Sequence, residues 1–346
     1  MSTTEIERPD IARGEADAAA ATLLIPTPAV TAGRRERRLA LDATPVNSER
    51  TAESELDDDL DAPRRPPLTV GRGSTAWVLA TISLLCLWFV AYAVLLTPIQ
   101  ESHDQSALYD TFRQQLALET APLGGDIAPG SPVALLSAPA LGVIDVVVVE
   151  GTASGDLMAG PGHRRDTVLP GQAGVSVLYG RQTLFGGPFA HIGTARPGDA
   201  ITVTTGQGVF IYTVTAVRHA GDTVPAPLTS GHGRLTLVSA EGTGRVGTVA
   251  PDRVVYVDAA LKGDGQPTLA GRPTAVPMAE RAMQGDPSAL LPLSLALPLL
   301  IGAVVFVTWA RARWGGWQTW LVGAPLVLAC LWAVSQTAVQ LLPNLL

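Results

Sequence analysis

The chain has 346 residues, of which 47% are hydrophobic and only 16% are charged. This combination excludes a wholly disordered chain and makes membrane-spanning segments the first feature to seek. The formal net charge of −7 argues against a nucleic-acid partner, because nucleic-acid-binding proteins carry a basic patch or stripe. The two cysteines, Cys86 and Cys330, are too few for a disulfide framework and lack the spacing of metal ligands.

Residues 1–75 are rich in Ala, Pro and Thr, with a basic cluster at 34–38 and an acidic cluster at 53–61. The segment has few aromatic residues and no helical or strand period, so we expect a disordered cytoplasmic tail. The basic cluster could contact anionic lipid. A solvated tail of mixed charge explains the same pattern.

Three uncharged apolar stretches reach the length of about 20 residues that a helix needs to cross a bilayer. They cover residues 76–97, 289–310 and 319–342. Arginines precede the first stretch, and Arg311 and Arg313 lie between the second and the third. By the positive-inside rule, the N-terminus is cytoplasmic, while residues 98–288 and the C-terminus are outside. We therefore expect a three-span protein of the cell membrane whose first span is a retained signal anchor.

The region between the first and second spans has the sequence pattern of a mainly β domain. Residues 98–129 predict a juxtamembrane helix, over 106–120, and a loop. Short β-branched runs bounded by Gly and Pro then predict strands. These runs cover residues 133–139, 143–150, 175–180, 200–205, 209–217, 234–239 and 253–258. Their even spacing favours a closed antiparallel barrel or a sandwich over residues 130–262. The Pro/Gly-rich residues 263–288 predict a linker back to the membrane.

Several segments of the β region carry a family likeness, among them VVVVEGTASGDLMAGPGH at residues 146–163. Residues 170–203 read PGQAGVSVLYGRQTLFGGPFAHIGTARPGDAITV, and residues 234–242 read RLTLVSAEG, followed by DRVVYVDAAL at 252–261. These motifs resemble the sortase domain, and within it the class E type of high-GC Gram-positive bacteria, the actinobacteria. The resemblance implies a mainly β fold with an eight-stranded β-barrel outside the membrane. It also implies a role in sorting surface proteins to the cell wall.

Sortases use three side chains in their chemistry. A cysteine thiolate attacks the Thr–Gly carbonyl of a sorting motif, a histidine handles protons and an arginine stabilises the oxyanion. By resemblance, the histidine position is Arg181 and the cysteine position is Ala240, whereas Arg253 keeps the arginine. Cys86 and Cys330 lie in apolar spans, so the outer region has no thiol. The resemblance therefore predicts a catalytically inactive protein in which Arg253 is the retained catalytic position.

A serine nucleophile is the alternative chemistry. Ser239 precedes Ala240, but a serine needs a general base within about 2.6–3.2 Å, and the family histidine is replaced. His191, His219 and His232 lie in or near loops, and their distances from Ser239 do not follow from the sequence.

Our hypothesis is that an ion pair fills the site in which the family cysteine and histidine are replaced. Arg181 and Glu241 flank Ala240, and a planar guanidinium meets a carboxylate in bidentate fashion, so we predict an ion pair between them. The alternative without a functional role is that both side chains face solvent. Arg181, Ser239 and Glu241 are our candidate peptide-binding residues.

Three functions remain open. The first is an inactive sortase-like protein that binds a sorting-signal peptide, a surface-protein precursor or an active sortase. The second is an active class E sortase-type transpeptidase or hydrolase using Ser239. The third is a membrane scaffold or sensor without a peptide ligand. Membrane lipid is an expected partner and nucleic acid is not. We expect no cofactor and no metal, since no carboxylate cluster has the spacing of a calcium loop.

Overall fold

A computed structural model describes residues 70–242, 247, 251 and 253–346, without the side chains of residues 70–74 and of Trp314. The tail predicted over residues 1–75 lies outside the described residues except for residues 70–75, which are helical.

Long helices flank the β region on both sides, and all of them except the second are strongly apolar. They are α1 (Val70–Ala91), α2 (Thr97–Ala117), α3 (Leu290–Trp314) and α4 (Gly316–Val339), and a π-helical turn, Tyr92–Leu96, joins α1 to α2. Within the described residues, three continuous helical stretches are long and apolar enough to cross a membrane. These stretches are Thr75–Ala117, Pro287–Arg313 and Gly316–Val339. The prediction of three helices of membrane-crossing length is confirmed.

Eight strands form the β region. They are β1 (Pro132–Ala138), β2 (Val143–Glu150), β3 (Gly162–His163), β4 (Gly174–Tyr179), β5 (Ala200–Thr205), β6 (Gly208–His219), β7 (Gly233–Glu241) and β8 (Arg253–Leu261). The strands close into a barrel in the order β1-β2-β3-β4-β7-β8-β6-β5. The closed eight-stranded barrel is confirmed.

The spacing of the strands favoured an antiparallel barrel, but two of the strand pairs are parallel. The pairs β2–β3 and β4–β7 are parallel. A parallel pair needs a crossover connection rather than a tight turn. The residues between β4 and β7 provide that crossover, and they contain the paired strands β5 and β6.

The barrel interior is a single large apolar cluster. Alternate residues of each strand point inward, as the period of two requires, so that Val203, Leu237 and Val257 are all fully buried in this cluster. The opposite faces of β4 and β7 are also apolar, and Tyr179 and Val238 belong to a second buried cluster outside the barrel.

Helix α2 is fixed to the barrel by one glutamine. Gln105 Nε2 donates to Val147 O (3.0 Å) and to Ala159 O (2.6 Å), while its Oε1 accepts from Val147 N (2.8 Å). The helix predicted over 106–120 therefore begins earlier, as a continuation of the first membrane-length helix, and ends at Ala117.

The linker over residues 263–288 lies against the barrel. Arg272 Nη2 lies 2.6 Å from Glu150 Oε1, and this buried carboxylate also contacts His163 Nδ1 at 2.9 Å. Ala173 N donates to Gln266 O at 2.9 Å. The linker is thus tied to β2 and to the segment before β4.

Helix α4 ends at Val339, three residues before the predicted end of the third span. Leu342 precedes Pro343, and the residue before a proline is sterically disfavoured in the helical region. Turn hydrogen bonds from Leu341 N to Ala338 O and from Leu342 N to Val339 O close the helix. The residues that follow pack against the barrel.

Candidate functional site

Strand pairing brings the three positions that the sequence resemblance singles out to one end of the barrel. In the β7–β8 register Ala240 faces Val254, and Glu241 faces Arg253. Tyr179, near the end of β4, pairs with Val238, so Arg181 follows at the same end. The structure therefore brings Arg181, Ala240 and Arg253 into one region, as a shared site requires.

Arg181 is fully buried and bound to a neighbouring turn. Its Nε donates to Leu157 O (3.2 Å), and its Nη2 donates to Ser154 O (2.7 Å) and Ser154 Oγ (2.9 Å). Its guanidinium carbon lies 5.1 Å from the centre of the Phe185 ring, within range of a cation–π contact. Burial lowers the pKa of Arg181 to about 9, so the side chain is still charged at neutral pH.

Glu241 has other partners than the one predicted. Its Oε2 lies 2.8 Å from His219 Nε2 and 3.8 Å from Arg253 Nη2. Among the described residues, Arg181 and Glu241 do not form an ion pair, so that prediction is wrong. The physical reason is burial: the guanidinium of Arg181 is enclosed with carbonyl partners, whereas Glu241 is about one-third exposed and Arg253 is 45% exposed. The solvent-facing alternative is therefore wrong for Arg181 and partly right for Glu241.

Ser239 is buried and already hydrogen-bonded. Its Oγ donates to Gly180 O at 2.9 Å. The three candidate histidines lie elsewhere: His219 pairs with Glu241, His232 Nδ1 contacts Thr229 Oγ1, and His191 is exposed. In the part of the chain that the structure describes, no histidine is hydrogen-bonded to Ser239, so the arrangement does not favour a serine nucleophile.

A cleft of about 230 Å³ opens beside Ala240. Its lining includes Gln182, Phe189, Gly193, Ala240, Glu241 and Val255. Ala240 contributes a methyl group and Glu241 a carboxylate, while backbone groups supply donors and acceptors. Such a lining can hold a peptide, but it presents no thiol.

An apolar groove lies next to this cleft on the outer face of β4 and β7. We define the groove by Leu157, Tyr179, Val238 and Ala240, which form one buried cluster together with Leu345. Leu345 follows α4 and is fully buried. The place of Leu345 in this cluster does not follow from the sequence, because a leucine just beyond an apolar span looks like part of that span.

Comparison with known proteins adds a family to this geometry. Residues 136–260 match the family model of the sortase domain. Sortase SrtE1 of Streptomyces coelicolor is 29% identical over 147 residues, which cover 40% of this chain and 41% of that relative. The chain thus matches less than half the length of that curated relative.

Several solved structures are also similar. Sortase E from Streptomyces avermitilis is 28% identical with a TM-score of 0.33, covering 45% of this chain and 100% of that chain. The Sortase D5 transpeptidase from Clostridium perfringens is 23% identical with a TM-score of 0.37, covering 46% and 99%. Sortase E1 from Streptomyces coelicolor, solved with a tripeptide in its active site, is 25% identical with a TM-score of 0.31, covering 40% and 93%. The family match confirms the resemblance carried by the sequence motifs: the barrel is a sortase-like domain, and its sequence is similar to a class E sortase.

Proposed function

We propose that this chain is a catalytically inactive, membrane-anchored sortase-like protein that binds an extended peptide as an accessory component of surface-protein sorting. The observation that carries the proposal is the chemistry at Ala240. The sequence resemblance assigns this residue to the family cysteine position, and it lines a cleft in which it offers only a methyl group. Without a thiolate, the attack on a Thr–Gly carbonyl has no nucleophile.

The surroundings of Ala240 support the same proposal. Arg181, at the family histidine position, is buried and donates its hydrogen bonds to Ser154 and Leu157. A guanidinium that stays charged at neutral pH does not act as a general base. Ser239 is hydrogen-bonded to Gly180 O, which leaves the serine alternative without support from geometry.

Arg253 is our candidate for contact with a bound peptide. It is 45% exposed and lies 3.8 Å from Glu241, which lines the cleft. In our proposal, Arg253 and Glu241 contact the backbone or side chains of a bound peptide by charge-assisted hydrogen bonds. Arg181 and Ser239, which are buried, support the site from beneath.

The proposed setting is the outer surface of the cell membrane. We propose a cytoplasmic N-terminus and an extracellular barrel, since arginine collects beside the spans in the pattern of the positive-inside rule. A sorting-signal peptide, a surface-protein precursor or an active sortase would then reach the cleft from outside.

A second candidate is a membrane scaffold or sensor without a peptide ligand. It is favoured by one observation: Leu345 of the same chain already occupies the groove next to Ala240. In a pure scaffold this contact would be permanent, and no peptide would bind.

Peptide binding distinguishes the two candidates. The full chain in nanodiscs would be titrated with a fluorescent LAXTG-type peptide, with a scrambled peptide of the same composition as the control, and with Arg253→Ala as the site variant. We expect saturable binding of the LAXTG-type peptide that weakens about tenfold in Arg253→Ala, because a charge-assisted hydrogen bond is lost. Equal binding of both peptides, or no binding at all, would contradict the proposal and favour the scaffold.

A further inference from the structure

We infer that residues 340–346 are an internal ligand of the groove beside Ala240, and that an incoming peptide has to displace them. We call residues 340–346 the capping segment. The inference rests on the proposed function, because it describes how access to the same site is controlled. It is carried by three sets of contacts between the capping segment and the barrel.

The first set consists of backbone hydrogen bonds to the loop after β4. Gln182 N donates to Leu345 O at 2.9 Å, and Leu184 N donates to Leu346 O at 3.4 Å. Both donors lie close to Arg181 in the sequence, at the end of the barrel that holds Ala240. These two main-chain hydrogen bonds hold the capping segment to the loop.

The second set consists of the packing contacts of the Leu345 side chain. Leu345 is fully buried and packs in one cluster with Leu157, Tyr179, Val238 and Ala240. Ala240 is itself only 3% exposed in this arrangement. Leu345 therefore belongs to the buried cluster that encloses Ala240, the residue that the resemblance assigns to the family cysteine position, and another side chain cannot bind there while Leu345 is in place.

The third set holds Asn344 between the barrel and the linker. Asn344 Nδ2 donates to Thr152 O at 2.8 Å and to Arg281 O at 3.0 Å, and Asn344 N donates to Gln284 O at 2.9 Å. The side-chain Oδ1 is buried and has no hydrogen-bond partner among the described residues. A buried acceptor without a partner costs free energy, so the capping segment is held by less than its full set of bonds.

The attachment to α4 explains how such a ligand can be displaced and still return. The capping segment begins one residue after Val339, where α4 ends. A ligand tethered this closely has a high effective concentration at its own site. An incoming peptide therefore binds with an affinity that is reduced by the fraction of molecules whose groove is covered.

Thiol protection tests the inference without any sorting peptide. The reporter is Ala240→Cys in the full chain in nanodiscs, with Cys86→Ala and Cys330→Ala to remove the native thiols, and the readout is the rate of modification by a small maleimide. We expect Leu345→Asp to raise this rate about tenfold or more, because a buried thiol reacts only when its cover opens. Leu118→Asp, a matched change at a leucine that is 64% exposed, should leave the rate unchanged.

A free peptide that restores protection of the thiol would show that the variants are still folded. The reporter chain lacking residues 343–346 should react as fast as the Leu345→Asp chain, and the free peptide QLLPNLL (residues 340–346) should slow it again. The same peptide with Asp in place of Leu345 should have no effect. Equal rates with and without Leu345→Asp, or no protection by QLLPNLL, would overturn the inference. Since neither readout uses a LAXTG-type peptide, failure of the proposed peptide role would leave these results unaffected.

Discussion

Leu345 and Ala240 belong to one buried apolar cluster on the outer face of β4 and β7, and they are 0% and 3% exposed. This cluster joins the residue that the sequence resemblance assigns to the family cysteine position to the segment that follows the last membrane-length helix. The barrel and the helices are therefore coupled at the candidate site. A substitution in the barrel or in the segment after α4 should therefore change the structure of the candidate site.

Arg181 should behave as a structural residue. Arg181→Ala should lower the free energy of unfolding by about 3 kcal/mol, because it opens a cavity and leaves the acceptors at Ser154 and Leu157 without their donor. Arg181→Met should cost less, since an apolar side chain of similar length fills the space without a buried charge. Denaturant unfolding of the full chain in detergent would measure both. A methionine variant as unstable as the alanine variant would contradict this account.

Ser239 should contribute stability and no chemistry. Ser239→Ala removes the hydrogen bond to Gly180 O and should cost about 1 kcal/mol of unfolding free energy. The full chain should not be labelled by a serine-reactive fluorophosphonate. Labelling that disappears in Ser239→Ala would instead support the serine alternative.

Asp156 should make stability depend on pH. Burial raises the pKa of this carboxyl from 3.8 to about 6, although the hydrogen bond from Ala153 N opposes the shift. Because the unfolded chain ionises first, the favourable contribution of the neutral carboxyl is present below pH 3.8 and is lost as pH rises through 6.

Asp156→Asn removes this titration. The variant should match the parent chain near pH 4 and exceed its unfolding free energy by about 1 kcal/mol at pH 8, after allowance for solvent screening. Unfolding curves across this pH range would measure the difference. A variant that is less stable than the parent at pH 8 would show that the carboxylate is favourable in the folded chain.

The linker should be held mainly by Arg272. Arg272→Ala leaves the buried Glu150 without its guanidinium partner and should cost about 3 kcal/mol of unfolding free energy. Arg281→Ala is a matched control on the same linker, because the Arg281 side chain is exposed and only its backbone contacts Asn344. Similar losses in the two variants would contradict a specific role for Arg272.

The strands could be predicted because their signal is local. Residues 200–205 were predicted as a strand and form β5 with the same bounds. Strand β3 has only two residues, Gly162 and His163, which is too short for any periodic pattern. The parallel pairing of β4 with β7 depends on the path of the chain between them, and alternation within a strand does not specify it.

The site was harder to predict because its contacts join residues far apart in the chain. The strand register brings Arg181 and Arg253 to the end of the barrel that holds Ala240. The sequence resemblance led us to expect this proximity. It did not show that Arg181 is enclosed with carbonyl partners, so the predicted pairing with Glu241 was wrong. Leu345 was missed for the same reason, since its partners are on β4 and β7.

The most direct test of the central claim is mass spectrometry of the full chain incubated with a LAXTG-type peptide and an amine acceptor. The account predicts no acyl adduct on the chain and no transfer product, whereas Arg181→His/Ala240→Cys combined with removal of residues 343–346 should gain the adduct. A transfer product formed by the unmodified chain would contradict the claim that this sortase-like protein binds without chemistry.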